Sequence, residues 1–245
     1  MALDHLPASC EAVAWIDCDI VFAEPAWPRR TLEALKSNVL VQLFDHLIHL
    51  RRGELPETAG PPSLQDCRQS FAAAFLEGTL SGDFFRRPAA SFEQRRNCGM
   101  GWAARRSFID RHRLSDGMVM GMGDKQVAAA AVGRIDDAVA GLEMSPRHAQ
   151  HFRRWATAFA EGTGGRVGMV PGTLHHLWHG ELEDRNYIGR YAGFSAFDFD
   201  PEVDLARGVE GAWLWAGRRD LALHVARYFR SRREDGRAPL PEATR

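Results

Sequence analysis

Residues 12–22 read A-V-A-W-I-D-C-D-I-V-F, an apolar and β-prone run that carries two acids, and E-P-A-W-P at 24–28 stops it with two prolines. This run predicts a buried strand. Residues 29–36 then follow a helical pattern, and V-L-V-Q-L-F at 39–44 predicts a second strand. The order of strand, helix and strand indicates an α/β fold.

Two acids lie at the centre of the first strand. In an extended chain, Asp17 and Asp19 share a face and lie about 6.6 Å apart, from two residues of roughly 3.3 Å rise each. Carboxylates among apolar neighbours repel each other and lose hydration, which is costly unless a cation or several hydrogen-bond donors meet them. Oxygen donors suit magnesium or manganese, which also bind phosphate oxygens. The alternative is that one acid caps a turn while the other is solvated.

The composition is that of an ordinary globular protein. The 245 residues are 45% apolar and 26% charged, which is enough for one substantial core. We expect a single domain over residues 1–235 and a polar, loose tail over 236–245. The net charge of -1 produces no field that favours nucleic acid, so small ligands are the expected partners.

Targeting signals are not apparent. The four cysteines have no C-x-x-C spacing, which argues against a zinc cage or a dense disulfide framework. The N-terminus lacks the pattern of a secretory signal, and no run reaches the roughly 18 apolar residues of a spanning helix. These features predict a cytoplasmic protein without a transmembrane segment.

Further elements follow along the chain. Turn formers predict two long loops, at 51–64 and 81–98, and such loops usually serve a ligand. The predicted later elements are a helix at 126–133, a helix from Pro146 through Ala160, a strand within 166–180 that ends in a histidine cluster, and a helix at 219–233 with Leu221, Val225 and Phe229 on one stripe.

The first strand carries a family resemblance. Residues 13–27, V-A-W-I-D-C-D-I-V-F-A-E-P-A-W, resemble the D-x-D strand of GT-A glycosyltransferases, broadly of the family 2 type. The resemblance implies a mixed sheet flanked by helices, with Asp17 in the donor site and Asp19 bound to a divalent cation, Mn²⁺ or Mg²⁺, on a nucleotide-sugar.

A second stretch is similar to the acceptor side of galactosyltransferase-like members. It comprises G-M-G-W-A-A-R-R-S-F-I-D at 99–110 and D-G-M-V-M-G-M-G-D-K-Q at 116–126. The resemblance implies that Asp124 is the general base for the acceptor hydroxyl, with Gly121 and Gly123 allowing close approach. A helix N-terminus would keep this carboxylate ionised, and helix capping is its alternative role. Asp116 is the competing acid, although its D-G context also indicates a turn.

A third stretch, H-H-L-W-H-G-E-L-E-D-R-N-Y-I-G-R at 175–190, resembles the element from which these enzymes supply a histidine to the metal. The resemblance implies that His179 is this ligand, with His175 and His176 ranked lower. Arg185 and Arg190 follow and would neutralise phosphate charge, unless they are simply surface arginines.

Tryptophans accompany these motifs. Trp102 and Trp178 adjoin proposed site residues and would stack on a sugar, unless they belong to the core. Trp155, Trp213 and Trp215 have contexts that indicate a structural role.

The resemblance does not cover the nucleotide-binding unit that precedes the D-x-D strand in this family. Only sixteen residues precede Asp17, whereas a βαβ nucleotide-binding unit needs roughly 30 or more. We therefore expect an N-terminally shortened GT-A domain, which is a truncation, a misassigned start, or a variant completed by a partner subunit.

The expected activity is metal-dependent transfer of a hexose from a nucleotide-sugar donor to a carbohydrate or other hydroxyl acceptor, most simply with inversion. Two alternatives remain open. One is a degenerate glycosyltransferase-like accessory or binding module without turnover. The other is a metal-dependent phosphodiester or diphosphate hydrolase, in which the same ligands would serve a water nucleophile.

Overall fold

A computed structural model describes residues 2–62, 66–86, 96–181, 183–186, 189–234 and 236. Over these residues the chain is a mixed α/β protein in which sheets containing parallel and antiparallel pairs are flanked by helices. The strands are β1 (Ala12–Ile16), β2 (Ile20–Phe22), β3 (Leu40–Gln42), β4 (His46–His49), β5 (Cys67–Ser70), β6 (Arg96–Asn97), β7 (Gly101–Arg105), β8 (Val167–Met169), β9 (Thr173–His176), β10 (Leu205–Arg207) and β11 (Trp213–Trp215). The α-helices are α1 (Trp27–Ala34), α2 (Phe71–Leu76), α3 (Arg106–His112), α4 (Gly123–Ala131), α5 (Ile135–Gly141), α6 (Pro146–Thr163), α7 (Pro201–Asp204) and α8 (Arg219–Ser231).

The strand predicted over residues 12–22 is two strands, so the prediction of one continuous strand is wrong. β1 and β2 are separated by a turn at residues 17–19, and they belong to different sheets. The apolar residues before and after the bend pair with neighbouring strands, and the two acids lie in the bend. Asp17 and Asp19 therefore do not share the face of one pleated strand.

Two main sheets meet at this bend. The first has the order β1-β7-β3-β8, and the second has the order β2-β9-β4-β5-β6. Pairing is antiparallel except between β3 and β8, β4 and β9, and β5 and β6. A separate antiparallel hairpin joins β10 to β11.

Three chain segments pass from the first sheet to the second. They are the β1–β2, β3–β4 and β8–β9 segments, and each has its first strand in the first sheet and its second strand in the other. Ile20 of β2 pairs with His176 of β9, and His49 of β4 pairs with the same histidine. The junction of the sheets therefore gathers an acidic bend and two histidine-bearing strands.

Helices cover the first sheet and close the main core. The alanine-rich α4 packs against α5 and α6, which is possible because its small side chains allow close approach of the neighbouring helices. Trp102 of β7 is fully buried in this core, and its indole N–H donates to the Cys98 carbonyl at 2.7 Å. Its proposed role in stacking on a sugar is therefore wrong, and the core alternative holds.

The helix predictions are confirmed with shifted ends. The predicted helices correspond to α1, α4, α6 and α8, and the Ser145 hydroxyl caps α6 by accepting from the His148 N–H. In α8, Leu221 and Val225 are buried, but Phe229 is 45% exposed, so the predicted stripe does not extend to it. No described helix is long and apolar enough to cross a membrane.

The loop predictions are confirmed in part. Residues 51–62 contain no helix or strand, and neither do residues 81–86, whereas β6 occupies the end of the second predicted loop. Residues 87–95, and the predicted tail from 237 onward, lie outside the described residues.

Candidate metal centre and its neighbouring acid

Three side chains converge at the junction of the two sheets. Asp19, His176 and His179 each offer a ligand atom, and these atoms lie within 4.8 Å of one another. Asp19 Oδ2 is 2.9 Å from His179 Nε2 and 3.5 Å from His176 Nε2, and the two Nε2 atoms are 2.9 Å apart. This spacing allows the three groups to share one cation.

Strand pairing explains the convergence. β2 begins at Ile20, directly after Asp19, and its first residue pairs with His176 at the end of β9. The Leu177 N–H then donates to the Asp19 carbonyl at 2.8 Å, which extends the pairing by one step. His179 follows within three residues, so the chain brings its imidazole back over the same carboxylate.

The chemistry of the three donors fits a divalent ion. Asp19 Oδ1 is buried and has no hydrogen-bond partner among the described residues, although a buried carboxylate oxygen normally has one. Hydrogen bonds from His176 and His179 lower the pKa of Asp19, which is therefore ionised at neutral pH. Two imidazoles and a carboxylate suit manganese and zinc better than magnesium.

The ranking of the histidines from the sequence is partly wrong, because His176 joins the cluster. Alternation along β9 explains this: adjacent side chains point to opposite faces, and His175, which pairs with Val21, points away from Asp19. His179, the ligand proposed from the sequence, lies within the cluster. His176 is only 5% exposed, which makes it the most enclosed of the three groups.

A fourth histidine supports the cluster from β4. His49 Nδ1 lies 2.9 Å from His176 Nδ1, and burial lowers the pKa of His49 to about 3, so that its ring is neutral. In the tautomer that leaves His176 Nε2 free for a metal, His176 Nδ1 donates this hydrogen bond to His49. Such an outer contact fixes the orientation of a ligating imidazole.

Arg185 packs against the cluster and is only 4% exposed, so the surface alternative for this arginine is wrong. Its Nη2 lies 2.7 Å from His179 Nε2, contacts His179 Nδ1, and donates to the His179 carbonyl at 2.8 Å. A metal on His179 and this guanidinium would compete for the same side of the ring. The guanidinium must move aside for an ion to enter.

A tyrosine of α8 links Arg190 to Arg185 by hydrogen bonds. The Tyr228 hydroxyl accepts from Arg190 Nη1 at 3.1 Å and donates to the Arg185 carbonyl at 3.2 Å. Gly121, at φ +84°, leaves room for this guanidinium, because a Cβ there would lie 2.9 Å from Arg190 Nη1. Gly121 thus accommodates an arginine, whereas Gly123 faces open space.

Asp17 interacts electrostatically with the metal cluster and with a second acid. Burial and the charge of Asp19 raise the pKa of Asp17, while His176 and His179 partly oppose that rise. The charge of Asp17 in turn raises the pKa of Asp124. The D-x-D acids and the proposed base therefore form one electrostatically coupled group.

Asp124 lies in the first turn of α4 and does not cap the helix, since Met122 is the N-cap residue. Burial, followed by the charge of Asp17, raises the pKa of Asp124 to about 7, and Arg190 opposes the rise. The expectation that the helix N-terminus keeps it ionised is therefore wrong below pH 7. The carboxylate packs on Gly99, where a Cβ would lie 3.0 Å from Asp124 Oδ2.

Two other residues proposed from the sequence have separate surroundings. Asp116 interacts with His151 of α6, whose Nε2 is 3.5 Å from Asp116 Oδ1. Trp178 is partly exposed beside His179, and the Arg52 guanidinium carbon lies 5.0 Å from its ring centroid. A contact of Trp178 with a sugar remains a prediction.

Comparison with known proteins finds no match: no family model, no curated protein and no solved structure is significantly similar to this chain. Functional conclusions therefore rest on the geometry of the site.

Proposed function

We propose that this protein is a metal-dependent glycosyltransferase of the GT-A type, which moves a hexose from a nucleotide-sugar to a hydroxyl acceptor. The observation that carries the proposal is the convergence of Asp19, His176 and His179 beside the coupled pair of Asp17 and Asp124. A cation site next to a carboxyl group of near-neutral pKa is the arrangement that such a transfer needs.

Each group in the site has a role that follows from its chemistry. Asp19, His176 and His179 would hold Mn²⁺, which when bound supplies positive charge to a leaving diphosphate. Arg185 and Arg190 would bind phosphate oxygens through their planar donors. Asp124 would accept the proton of the acceptor hydroxyl, and its pKa of about 7 suits a general base at neutral pH.

A second candidate is a metal-dependent phosphodiester or diphosphate hydrolase. His176 favours it, because two histidines and one carboxylate also form the protein ligands of catalytic zinc in hydrolases. Water would then replace the sugar acceptor, and Asp124 would deprotonate that water.

An assay that follows the release of both nucleoside diphosphate and nucleoside monophosphate distinguishes the two functions. The protein is incubated with Mn²⁺ and UDP-, GDP- and dTDP-hexoses, with and without a panel of methyl glycosides as acceptors. A transferase releases diphosphate faster with one acceptor and forms a disaccharide glycoside that mass spectrometry detects, and Asp19→Ala and Asp124→Asn lose both products.

The other outcomes are equally informative. Release that no acceptor accelerates identifies the hydrolase: nucleoside diphosphate then appears with free sugar, or nucleoside monophosphate with sugar phosphate. No release of either nucleotide from any donor contradicts both catalytic proposals and leaves a binding module.

A further inference from the structure

A pocket separate from the metal centre lies among the loop before α4, helices α6 and α7, and the β10–β11 hairpin. Its volume is about 230 Å³. The lining residues are Asp116, His151, Pro201, Glu202, Leu205 and Trp213. This volume lies below the roughly 300–1,000 Å³ of pockets for drug-sized ligands, so it suits a single small ring.

One wall of the pocket is polar. The His151 imidazole lies between two carboxylates, with Nε2 3.5 Å from Asp116 and Nδ1 3.7 Å from Glu202. The hydrogen bond from His151 lowers the pKa of Asp116, which is therefore ionised at neutral pH. His151 Nδ1 is buried and has no hydrogen-bond partner among the described residues. The wall thus offers carboxylate acceptors and one unused imidazole nitrogen.

The hairpin contributes the apolar part of the pocket lining, Leu205 and Trp213. Leu205 pairs with Trp215 and Arg207 with Trp213, which places Leu205 and Trp213 on one face of the hairpin. Trp213 is 41% exposed, in contrast with the structural role expected from its sequence context. The Arg207 guanidinium carbon lies 4.3 Å from the Trp213 ring centroid, so it holds the indole in place.

The charges around the pocket nearly cancel. Asp116 and Glu202 are negative, while Arg207 acts on Asp116 and Arg154 forms an ion pair with Glu202. A cationic or anionic ligand would gain little from a balanced set of charges. A neutral ligand with several hydroxyl groups and an apolar face matches the polar and apolar parts of the lining, because hydroxyls donate to carboxylates and C–H groups pack on an indole.

We propose that this pocket binds a single neutral pyranose unit, with Asp116 accepting from its hydroxyls and Trp213 packing against its ring. The site needs no metal, and none of its lining residues belongs to the cluster around Asp19. It is therefore independent of the proposed transferase activity.

Saturation-transfer NMR with methyl glucoside, galactoside and mannoside, at millimolar concentration and without metal, tests the site. At least one glycoside binds the wild type, and Asp116→Asn and Trp213→Ala each weaken that binding about tenfold, as expected for loss of a charged hydrogen bond or a packed ring. The control Leu214→Ala removes an exposed neighbour on the other face of the hairpin and leaves binding unchanged.

Asp19→Ala separates this proposal from the metal centre, because it removes a metal ligand and leaves the saccharide signal intact. Two results would overturn the proposal: no glycoside binds the wild type, or binding survives both pocket variants. In the first case, binding of ethanolamine in the pocket identifies an amine site. Because Asp116→Asn changes so few atoms, it remains informative if Trp213→Ala fails to fold.

Discussion

Asp17, in the bend between β1 and β2, lies close enough to Asp124, in the first turn of α4, for its negative charge to raise the pKa of Asp124. Asp17 also responds to Asp19, His176 and His179. The D-x-D bend therefore connects the candidate metal centre with the candidate base. A change of charge at the metal centre should therefore change the pKa of Asp17 and, through Asp17, that of Asp124.

Replacing Asp124 by Asn should stabilise the protein at neutral and higher pH. The folded pKa of about 7 exceeds the ordinary aspartate value of 3.8, so folding favours the protonated carboxyl, and its contribution to stability is lost as pH rises from about 4 to 7. Asn carries no charge. Urea unfolding at pH 8 should give a gain of roughly 1–3 kcal/mol, which allows for partial exposure of the side chain.

The gain should shrink towards pH 4, where Asp124 is protonated in both states. A difference in unfolding free energy that is constant across this pH range would contradict the raised pKa.

Replacing Arg185 by Met should tighten Mn²⁺ binding and weaken nucleoside diphosphate binding. The guanidinium contacts the ring nitrogens of His179 and so competes with a cation, whereas it would attract a diphosphate. Calorimetric titration should show several-fold changes of opposite sign. Arg230→Met, on the exposed surface of α8, is the matched control. Changes of the same sign for both ligands would show that Arg185 acts only as a structural residue.

Much of the fold follows from local patterns in the sequence. Helices α1, α4, α6 and α8 were predictable, because their periodicity is local and Ser145 and Pro146 form a clear helix start. The break at residues 17–19 was not, because one apolar run satisfies two short strands as well as one long one. Which sheet each strand joins depends on contacts that are distant in the sequence.

The same distinction applies to the site. Asp19 and His179 could be proposed from motif resemblance, but the inclusion of His176 depends on its pairing with Ile20 across β2 and β9. His49 carries no signal of its own, because only the parallel pairing of β4 with β9 brings it to His176. The position of Trp102 beside a glycine-rich turn fits both a role in stacking on a sugar and a role in the core. Only its burial in the structure distinguishes the two roles.

Replacing His49 by Ala should weaken Mn²⁺ binding about 10- to 100-fold, because the acceptor that orients His176 is lost. His49→Gln retains a carbonyl acceptor and should recover part of the affinity. Both are measured by titration calorimetry. Equal losses in the two variants would indicate that His49 contributes packing and not orientation.

Two glycine substitutions before and within α4 should have opposite effects on stability. Gly121→Ala forces a Cβ into a left-handed conformation 2.9 Å from Arg190 Nη1, and it should cost about 1–2 kcal/mol. Gly123→Ala meets open space at the first residue of α4, and it should stabilise by about 0.5–1 kcal/mol. Thermal unfolding of both variants provides the measurement. If Gly121→Ala leaves the stability unchanged, Arg190 does not pack tightly against this loop.

We propose above all that Asp19, His176 and His179 bind one divalent ion. The most direct test is titration of Mn²⁺ followed by the electron paramagnetic resonance signal of the free ion, with wild type, His176→Ala and His175→Ala. His175 is the matched control, since it neighbours His176 on β9 but points to the opposite face. We predict one site in the wild type, at least tenfold weaker binding in His176→Ala, and unchanged binding in His175→Ala. Equal affinity in all three proteins would contradict the metal centre.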